Sequence, residues 1–279
     1  MADITPVHIK ERKLQGPPIT MLTAYDYSFA SMVDAAGIDI ILVGDSLGMV
    51  VLGYDSTVPV TMEDMLHHCK AVSRGVTNAL LVGDMPFMSY QVSPEEALLN
   101  ASRFLKEAGC DAVKLEGGVD MAPVIERLVQ AGIPVMGHVG LTPQTASSLG
   151  GFRVQGKDLE RARAIYRDAL AVAEAGAFSV VLECIPSELS ALITKEVDIP
   201  TIGIGAGPQC DGQVLVTNDM LGLYDKFTPK FVRKYLDLAP RISEAMKRFK
   251  KEVEAGDFPS LEESFSGGEE AVQAIRAQN

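Results

Sequence analysis

Several ionisable residues stand where short apolar runs end. Ile41-Leu-Val-Gly-Asp45 and Leu80-Leu-Val-Gly-Asp84 each close an apolar run with glycine and then aspartate. Val113-Lys-Leu-Glu116 interleaves two charges with apolar neighbours, Pro134-Val-Met-Gly-His138 ends on histidine, and Val180-Val-Leu-Glu183 ends on glutamate. On a strand, side chains alternate with a period of two, so Lys114 and Glu116 share one face of an otherwise buried element. An inward charge is costly unless it is paired or bound to metal. Asp45, Asp84 and Glu116 would make a hard, all-oxygen site that keeps positions open for water and substrate, which magnesium prefers; manganese, cobalt or zinc could occupy the same carboxylates.

Plainer readings stand beside these. Either aspartate could cap the helix that follows it. Lys114 and Glu116 could be a buried ion pair, His138 a neutral histidine bonded in a rim, and Glu183 the partner of a lysine or arginine. His67 and His68 are adjacent in a helix and so point in different directions, as on an ordinary helix surface. Gly203-Ile-Gly-Ala-Gly207 reads as a tight turn, with close approach of a ligand as the alternative.

What would position these groups is a βα repeat. Apolar runs at Ile19–Thr23, Ile38–Val43, Ala79–Val82, Ala112–Leu115, Ile133–Met136, Ser179–Leu182 and Thr201–Ile204 alternate with amphipathic stretches. They are nearly continuous in Val, Ile and Leu, as parallel strands covered on both faces must be. Ser93-Pro94-Glu95-Glu96 starts a helix expected to reach Ala108, where Gly109 stops it. Thr61, Asp120 and Ser187 start others, and Gly37, Gly132 and Gly176 sit where helices should end. With Gln213–Val216 as an eighth strand, the pattern is a (β/α)8 barrel, a TIM barrel whose strand carboxyl ends form the functional face. A doubly wound sheet would instead want a glycine-rich loop after its first strand, whereas Thr23-Ala-Tyr-Asp-Tyr27 follows here. Residues 1–228 are thus expected to form the barrel. Residues 229–279 should form an extension, with one long helix from Pro229 to about Glu254, packed on the barrel or on a neighbouring subunit.

Composition bounds the function. The chain has 279 residues, 47% of them hydrophobic, with a formal charge of -12. That balance disfavours nucleic acid and anionic membranes, which attract basic surfaces, and favours small-molecule chemistry. No apolar run is long enough to cross a bilayer, and Met1-Ala-Asp-Ile-Thr-Pro6 lacks the regions of a signal peptide, so a cytoplasmic location is expected. Cys69, Cys110, Cys184 and Cys210 have no zinc or redox spacing and are expected as reduced thiols.

Several motifs together carry a resemblance. They are Met21-Leu-Thr-Ala-Tyr-Asp-Tyr27, Val43-Gly-Asp-Ser-Leu-Gly-Met-Val50, Gly83-Asp-Met-Pro-Phe87, Val113-Lys-Leu-Glu-Gly117, Gly137-His-Val-Gly-Leu-Thr-Pro-Gln144, and Ile202-Gly-Ile-Gly-Ala-Gly207 with Asp211-Gly-Gln-Val-Leu215. With them the chain resembles the ketopantoate hydroxymethyltransferases of pantothenate synthesis. The resemblance implies that Asp45, Asp84 and Glu116 hold Mg2+, that Asp45, Ser46, Asp84 and Lys114 contact 3-methyl-2-oxobutanoate, and that Glu183 is the proton acceptor. It also implies a cytoplasmic homodecamer and 5,10-methylenetetrahydrofolate as one-carbon donor. The reaction expected is metal-assisted removal of the C3 proton by Glu183, with Lys114 stabilising the enolate charge and Ser46 and His138 orienting the acid and the new hydroxyl. Two alternatives remain at this point: a magnesium-dependent carbon–carbon lyase or mutase of the phosphoenolpyruvate mutase/isocitrate lyase type, and a non-catalytic ligand-binding barrel.

Overall fold

The computed structural model describes residues 3–13, 15–146, 153–224 and 228–278. Parallel strands β1 (Ile19–Thr23), β2 (Ile40–Val43), β3 (Leu80–Asp84), β4 (Ala112–Lys114), β5 (Val135–Gly140), β6 (Ser179–Glu183), β7 (Thr201–Ile204) and β8 (Gly212–Leu215) pair in chain order. β8 returns to β1 through Ile19 opposite Gly212 and Met21 opposite Val214, which closes the barrel. Helices α2 (Tyr27–Ala35), α4 (Met62–Ser73), α5 (Pro94–Ala108), α6 (Ala122–Gln130), α7 (Leu159–Glu174) and α8 (Ser187–Glu196) run between strands, and α3 (Leu47–Val50) is a single turn after β2.

Helix ends follow local chemistry. Ser93 accepts a hydrogen bond from the Glu96 N–H at 3.1 Å, and Gly109 closes α5 with a left-handed φ of 74°. Thr61 and Asp64 form a reciprocal capping box at the start of α4. The segment after β7 turns tightly, with φ of +64° at Gly205 and +85° at Gly207. A side chain at Gly205 would meet the Phe231 ring at 2.7 Å.

Two apolar layers result. One packs outward strand residues such as Ile41, Leu81, Val113 and Val180 against the helices. The other fills the cylinder with Ile19, Met21, Ile40, Leu42, Leu80, Val82, Met136, Val181 and Ile202. The preceding helix α1 (Pro6–Glu11) inserts Ile9 into this inner cluster. Arg12 is 3.0 Å from Asp39 and Lys13 is 2.8 Å from Asp211, so both bridges grip residues just before β2 and β8. α1 therefore stoppers the end where the strands begin.

The end of the chain differs from expectation. After the short α9 (Thr217–Met220), the long helix α10 starts at Leu238 and runs to Ala255, rather than starting at Pro229. Pro240 explains the shift. In a helix begun at 229 it would lie in the interior, without an N–H and clashing with the preceding turn, whereas a start at Leu238 puts it in the tolerant first turn. A further helix, α11 (Glu269–Gln278), follows, beyond the one long helix expected in this extension. α10 carries no buried residue. Among the described residues, no helix is long and apolar enough to cross a membrane.

Candidate active site

The alternation that fills the cylinder with apolar groups also ends it with charges. Inward positions climb from Leu80 and Val82 to Asp84 on β3, from Ala112 to Lys114 on β4, from Met136 to His138 on β5 and from Val181 to Glu183 on β6. Register sets Asp84 directly beside Lys114. Asp45 and Ser46 lie in the turn after β2, and Glu116 lies just past β4, where Gly117 bridges to His138. All seven line one cavity of about 380 Å³ at the carboxyl ends of the strands. The structure thus brings every sequence-predicted site residue to a single mouth.

Their pairings are specific. Lys114 Nζ donates to both Asp84 oxygens, at 2.7 and 2.8 Å, so its ion partner is Asp84 and not the nearby Glu116. The Asp45 N–H donates to Asp84 Oδ2 at 3.2 Å, and the Tyr25 hydroxyl lies 2.9 Å from Ser46 Oγ. His138 stands between two carboxylates, with Nε2 3.2 Å from Glu183 and Nδ1 3.5 Å from Glu116. Neither contact has hydrogen-bond alignment, so both ring nitrogens are buried without a well-formed partner. Both contacts are electrostatic, because distance alone does not make a hydrogen bond.

One buried ammonium faces three buried carboxylates, and the protonation equilibria respond. Burial, then the charges of Asp84 and Glu116, push the Asp45 carboxyl well above the usual range, against the pull of Lys114 and Gln144. Burial also raises Asp84, with Lys114 opposing it. Burial and Lys114 press His138 toward neutrality, but Glu116 and Glu183 outweigh them and push it up to about 9. On the far wall of the cavity, burial lifts Asp219 to about 6 against the charge of Lys234.

Some participants are invisible to strand patterning. Gln144 Nε2 donates to Asp45 Oδ2 at 2.9 Å and to the Met85 carbonyl at 2.9 Å, while its backbone N–H donates to Glu116 Oε2 at 3.1 Å. Tyr90 donates to Gln144 Oε1 at 2.7 Å and accepts from the Glu116 N–H at 3.1 Å. His68 is half-buried, with Nδ1 2.6 Å from the Tyr25 carbonyl, and so departs from the expected surface histidine; His67 is exposed. The four cysteines are free thiols.

The donor chemistry fits a hard divalent cation. Three carboxylates against one ammonium leave net negative charge in a buried oxygen-rich mouth, and raised carboxyl pKa values mark crowding that a cation would relieve. Among the described residues, no three Asp, Glu, His or Cys side chains form a ready-made cage. Lys114 covers both Asp84 oxygens, and Gln144 covers one oxygen each of Asp45 and Glu116. Such a site suits an ion that keeps water and substrate oxygens in its shell, as Mg2+ does.

Comparison with known proteins adds independent information. The sequence model of the ketopantoate hydroxymethyltransferase family matches residues 3–261. A 3-methyl-2-oxobutanoate hydroxymethyltransferase of Syntrophomonas wolfei subsp. wolfei is 58% identical over 275 residues, covering 99% of this chain and 100% of that protein. One from Syntrophus aciditrophicus is 60% identical over 262 residues, covering 94% and 96%. Among solved structures, a phosphonopyruvate hydrolase complex with oxalate and Mg2+ aligns with a TM-score of 0.60 at 14% identity, covering 100% of this chain and 96% of that one. A 2,3-dimethylmalate lyase aligns at 0.57 and 13%, covering 98% of each. At that identity the structural likeness concerns the barrel alone.

Proposed function

The chain belongs to the ketopantoate hydroxymethyltransferase family and transfers a hydroxymethyl group to 3-methyl-2-oxobutanoate, and from this premise we propose how its mouth residues divide the work. The one-carbon donor is 5,10-methylenetetrahydrofolate. Overall, the C3–H bond of the oxo acid breaks, C3 bonds to the folate methylene carbon as the first of that carbon's two C–N bonds breaks and its nitrogen takes up a proton, and water then displaces the second nitrogen, leaving its hydroxyl on the carbon and its proton on the nitrogen, so that ketopantoate and tetrahydrofolate are released. The reaction belongs to the cytoplasm.

Asp45 and Glu116, each with one oxygen left over from the Gln144 contacts, hold the divalent cation together with Asp84, and Mg2+ is the ion that this donor set favours. When bound, the cation supplies Lewis-acid polarisation of the ketone, which acidifies the C3 proton. Glu183 takes that proton. Its carboxylate lines the cavity beside His138, where a general base acting on a bound oxo acid would have to stand. Lys114 lines the same cavity, and its fixed ammonium meets negative charge as it develops on the substrate. Ser46, held by Tyr25, and His138 orient the substrate carboxylate and the new hydroxyl.

The observation that carries this reading is the convergence of Glu183, Lys114 and the three carboxylates on one cavity, since removing a C3 proton calls for a base and a place for the developing charge. Glu183→Gln should abolish solvent exchange of the substrate C3 proton, followed by NMR, while Mg2+ affinity measured by calorimetry is unchanged. Exchange that continues in this variant removes Glu183 from the role of base.

Residues 229–279 are an extension that packs against neighbouring copies in a homo-oligomer, a decamer. What supports this is the exposed apolar row Ile242, Met246, Phe249 and Val253 on α10, at helical spacing, with the four-residue α9 the only helix between β8 and α10 among the described residues.

A further inference from the structure

The hydrogen bonds around Gln144 have a direction that the chain cannot reverse. The Glu116 backbone N–H can only donate, so the Tyr90 oxygen that it reaches at 3.1 Å must accept. Tyr90 has one proton left to give, and it goes to Gln144 Oε1 at 2.7 Å. The amide is therefore oriented with its NH2 end toward Asp45 Oδ2 and the Met85 carbonyl, both at 2.9 Å. The Gln91 amide also donates to Oε1, at 3.4 Å, reinforcing the same orientation. Meanwhile the Gln144 backbone N–H takes Glu116 Oε2 at 3.1 Å. One residue thus occupies a single oxygen on each of two carboxylates that follow different strands, and both Gln144 and Tyr90 are buried.

We infer that Gln144, oriented by Tyr90, is a positioning residue that limits Asp45 and Glu116 to one free oxygen each and thereby tunes the mouth for Mg2+ over larger cations. A tied oxygen keeps a second lone pair, but the hydrogen bond fixes the carboxylate plane and leaves the other oxygen the better donor, so Asp45 and Glu116 favour one-oxygen over two-oxygen ligation. Ca2+ takes six to eight oxygens and readily uses carboxylates in bidentate mode, whereas Mg2+ demands a compact octahedron and keeps its waters. Partners of ligating carboxylates orient them, and losing such a partner costs about 10- to 100-fold in metal affinity. The inference rests on the cation reading above, and the two can fail separately.

The test is calorimetric titration of the purified full chain with Mg2+ and with Ca2+, without substrate, alongside thermal unfolding. Gln144→Met keeps the length and burial of the side chain but removes the amide. It should weaken Mg2+ about 10- to 100-fold while Ca2+ weakens less, so that the Mg2+-over-Ca2+ preference narrows. Tyr90→Phe, which leaves the amide in place but frees it to turn over, should show the same narrowing to a smaller degree. Both should raise the Mg2+ concentration needed for half-maximal turnover more than they lower the rate at saturating Mg2+. Mg2+ and Ca2+ affinities that fall by equal factors, or that do not change in a folded Gln144→Met chain, overturn the positioning role. A wild-type chain that binds neither ion, or Asp45→Asn and Glu116→Gln variants that bind Mg2+ like the wild type, would defeat the cation reading instead.

Discussion

Lys114→Met tests the electrostatics of the mouth most directly. Lys114 and Asp84 are 4% and 1% exposed, and the ammonium makes the only cation contact of the Asp84 oxygens, at 2.7 and 2.8 Å, among the described residues. Methionine fills much the same volume without charge, so the variant leaves Asp84 buried beside Asp45 and Glu116 with no internal counter-ion. Removing one partner of a buried pair costs about 3–5 kcal/mol, a large share of the ~5–15 kcal/mol that holds a domain folded. Replacing both partners with apolar groups is close to neutral, so Lys114→Met with Asp84→Leu should recover most of that loss. Recovery should stop about 1 kcal/mol short, because the Asp45 N–H loses its acceptor on Asp84. Urea unfolding with EDTA present measures all three chains. Adding Mg2+ at 100 times its dissociation constant should then return ~2.7 kcal/mol to the single variant as the ion takes over part of the missing charge. If the single and double variants lose the same amount, or the single variant loses under ~1 kcal/mol, the pair is not the electrostatic keystone described here.

Further outcomes follow from other contacts. Gly140 has a φ of +99°, and a side chain there would meet the Glu183 carbonyl at 2.4 Å, so Gly140→Ala should cost ~1–3 kcal/mol and lower kcat more than it raises KM by displacing the base. Steady-state kinetics separate the two parameters, and an unchanged kcat would mean that the strand end yields without moving Glu183. Asp219 titrates at about 6 in the folded chain against an ordinary value of 3.8, so folding takes up a proton between those values. Its contribution is most favourable below the lower value, declines as pH rises to about 6 and is level above. Asp219→Asn should remove that slope and be more stable at pH 7 by ~1–3 kcal/mol, allowing for partial exposure, which unfolding at pH 4, 5, 6 and 7 would show. Truncation after Leu236 should shrink the assembly in sedimentation while the barrel still melts cooperatively; an unchanged assembly would free the tail of any part in it.

Much of the barrel was legible because parallel strands buried on both faces are near-continuous in Val, Ile and Leu, and the inward charges break that run at its end. Lys114 and Glu116 announced themselves by sharing a face with Ala112, and Asp45 and Asp84 by repeating one strand ending. Which charges pair was not legible, because β4 register against β3 sets Lys114 beside Asp84, and register is a property of two strands. Gln144 and Tyr90 escaped for a related reason. They are neutral, lie off the strands, and act across 99 and 26 positions of sequence, where local periodicity carries no signal. The late start of α10 was readable from Pro240, whose place in a first turn outweighs the charge pattern that precedes it.

The stopper formed by Ile9, Arg12 and Lys13 has a kinetic consequence. With these residues packed at the end where the strands begin, the chamber among the described residues opens at the carboxyl ends of the strands, where substrates would enter and products leave. On the proposed reading, the small oxo acid sits at the back against Lys114 and the proposed folate donor, being bulkier, enters afterwards, in front of it. Turnover should therefore be compulsorily ordered: the oxo acid enters first, spent folate departs first, and ketopantoate leaves last. Such an order would make ketopantoate a competitive inhibitor toward the oxo acid and a mixed one toward the folate, and a random pattern would show that the doorway admits both at once.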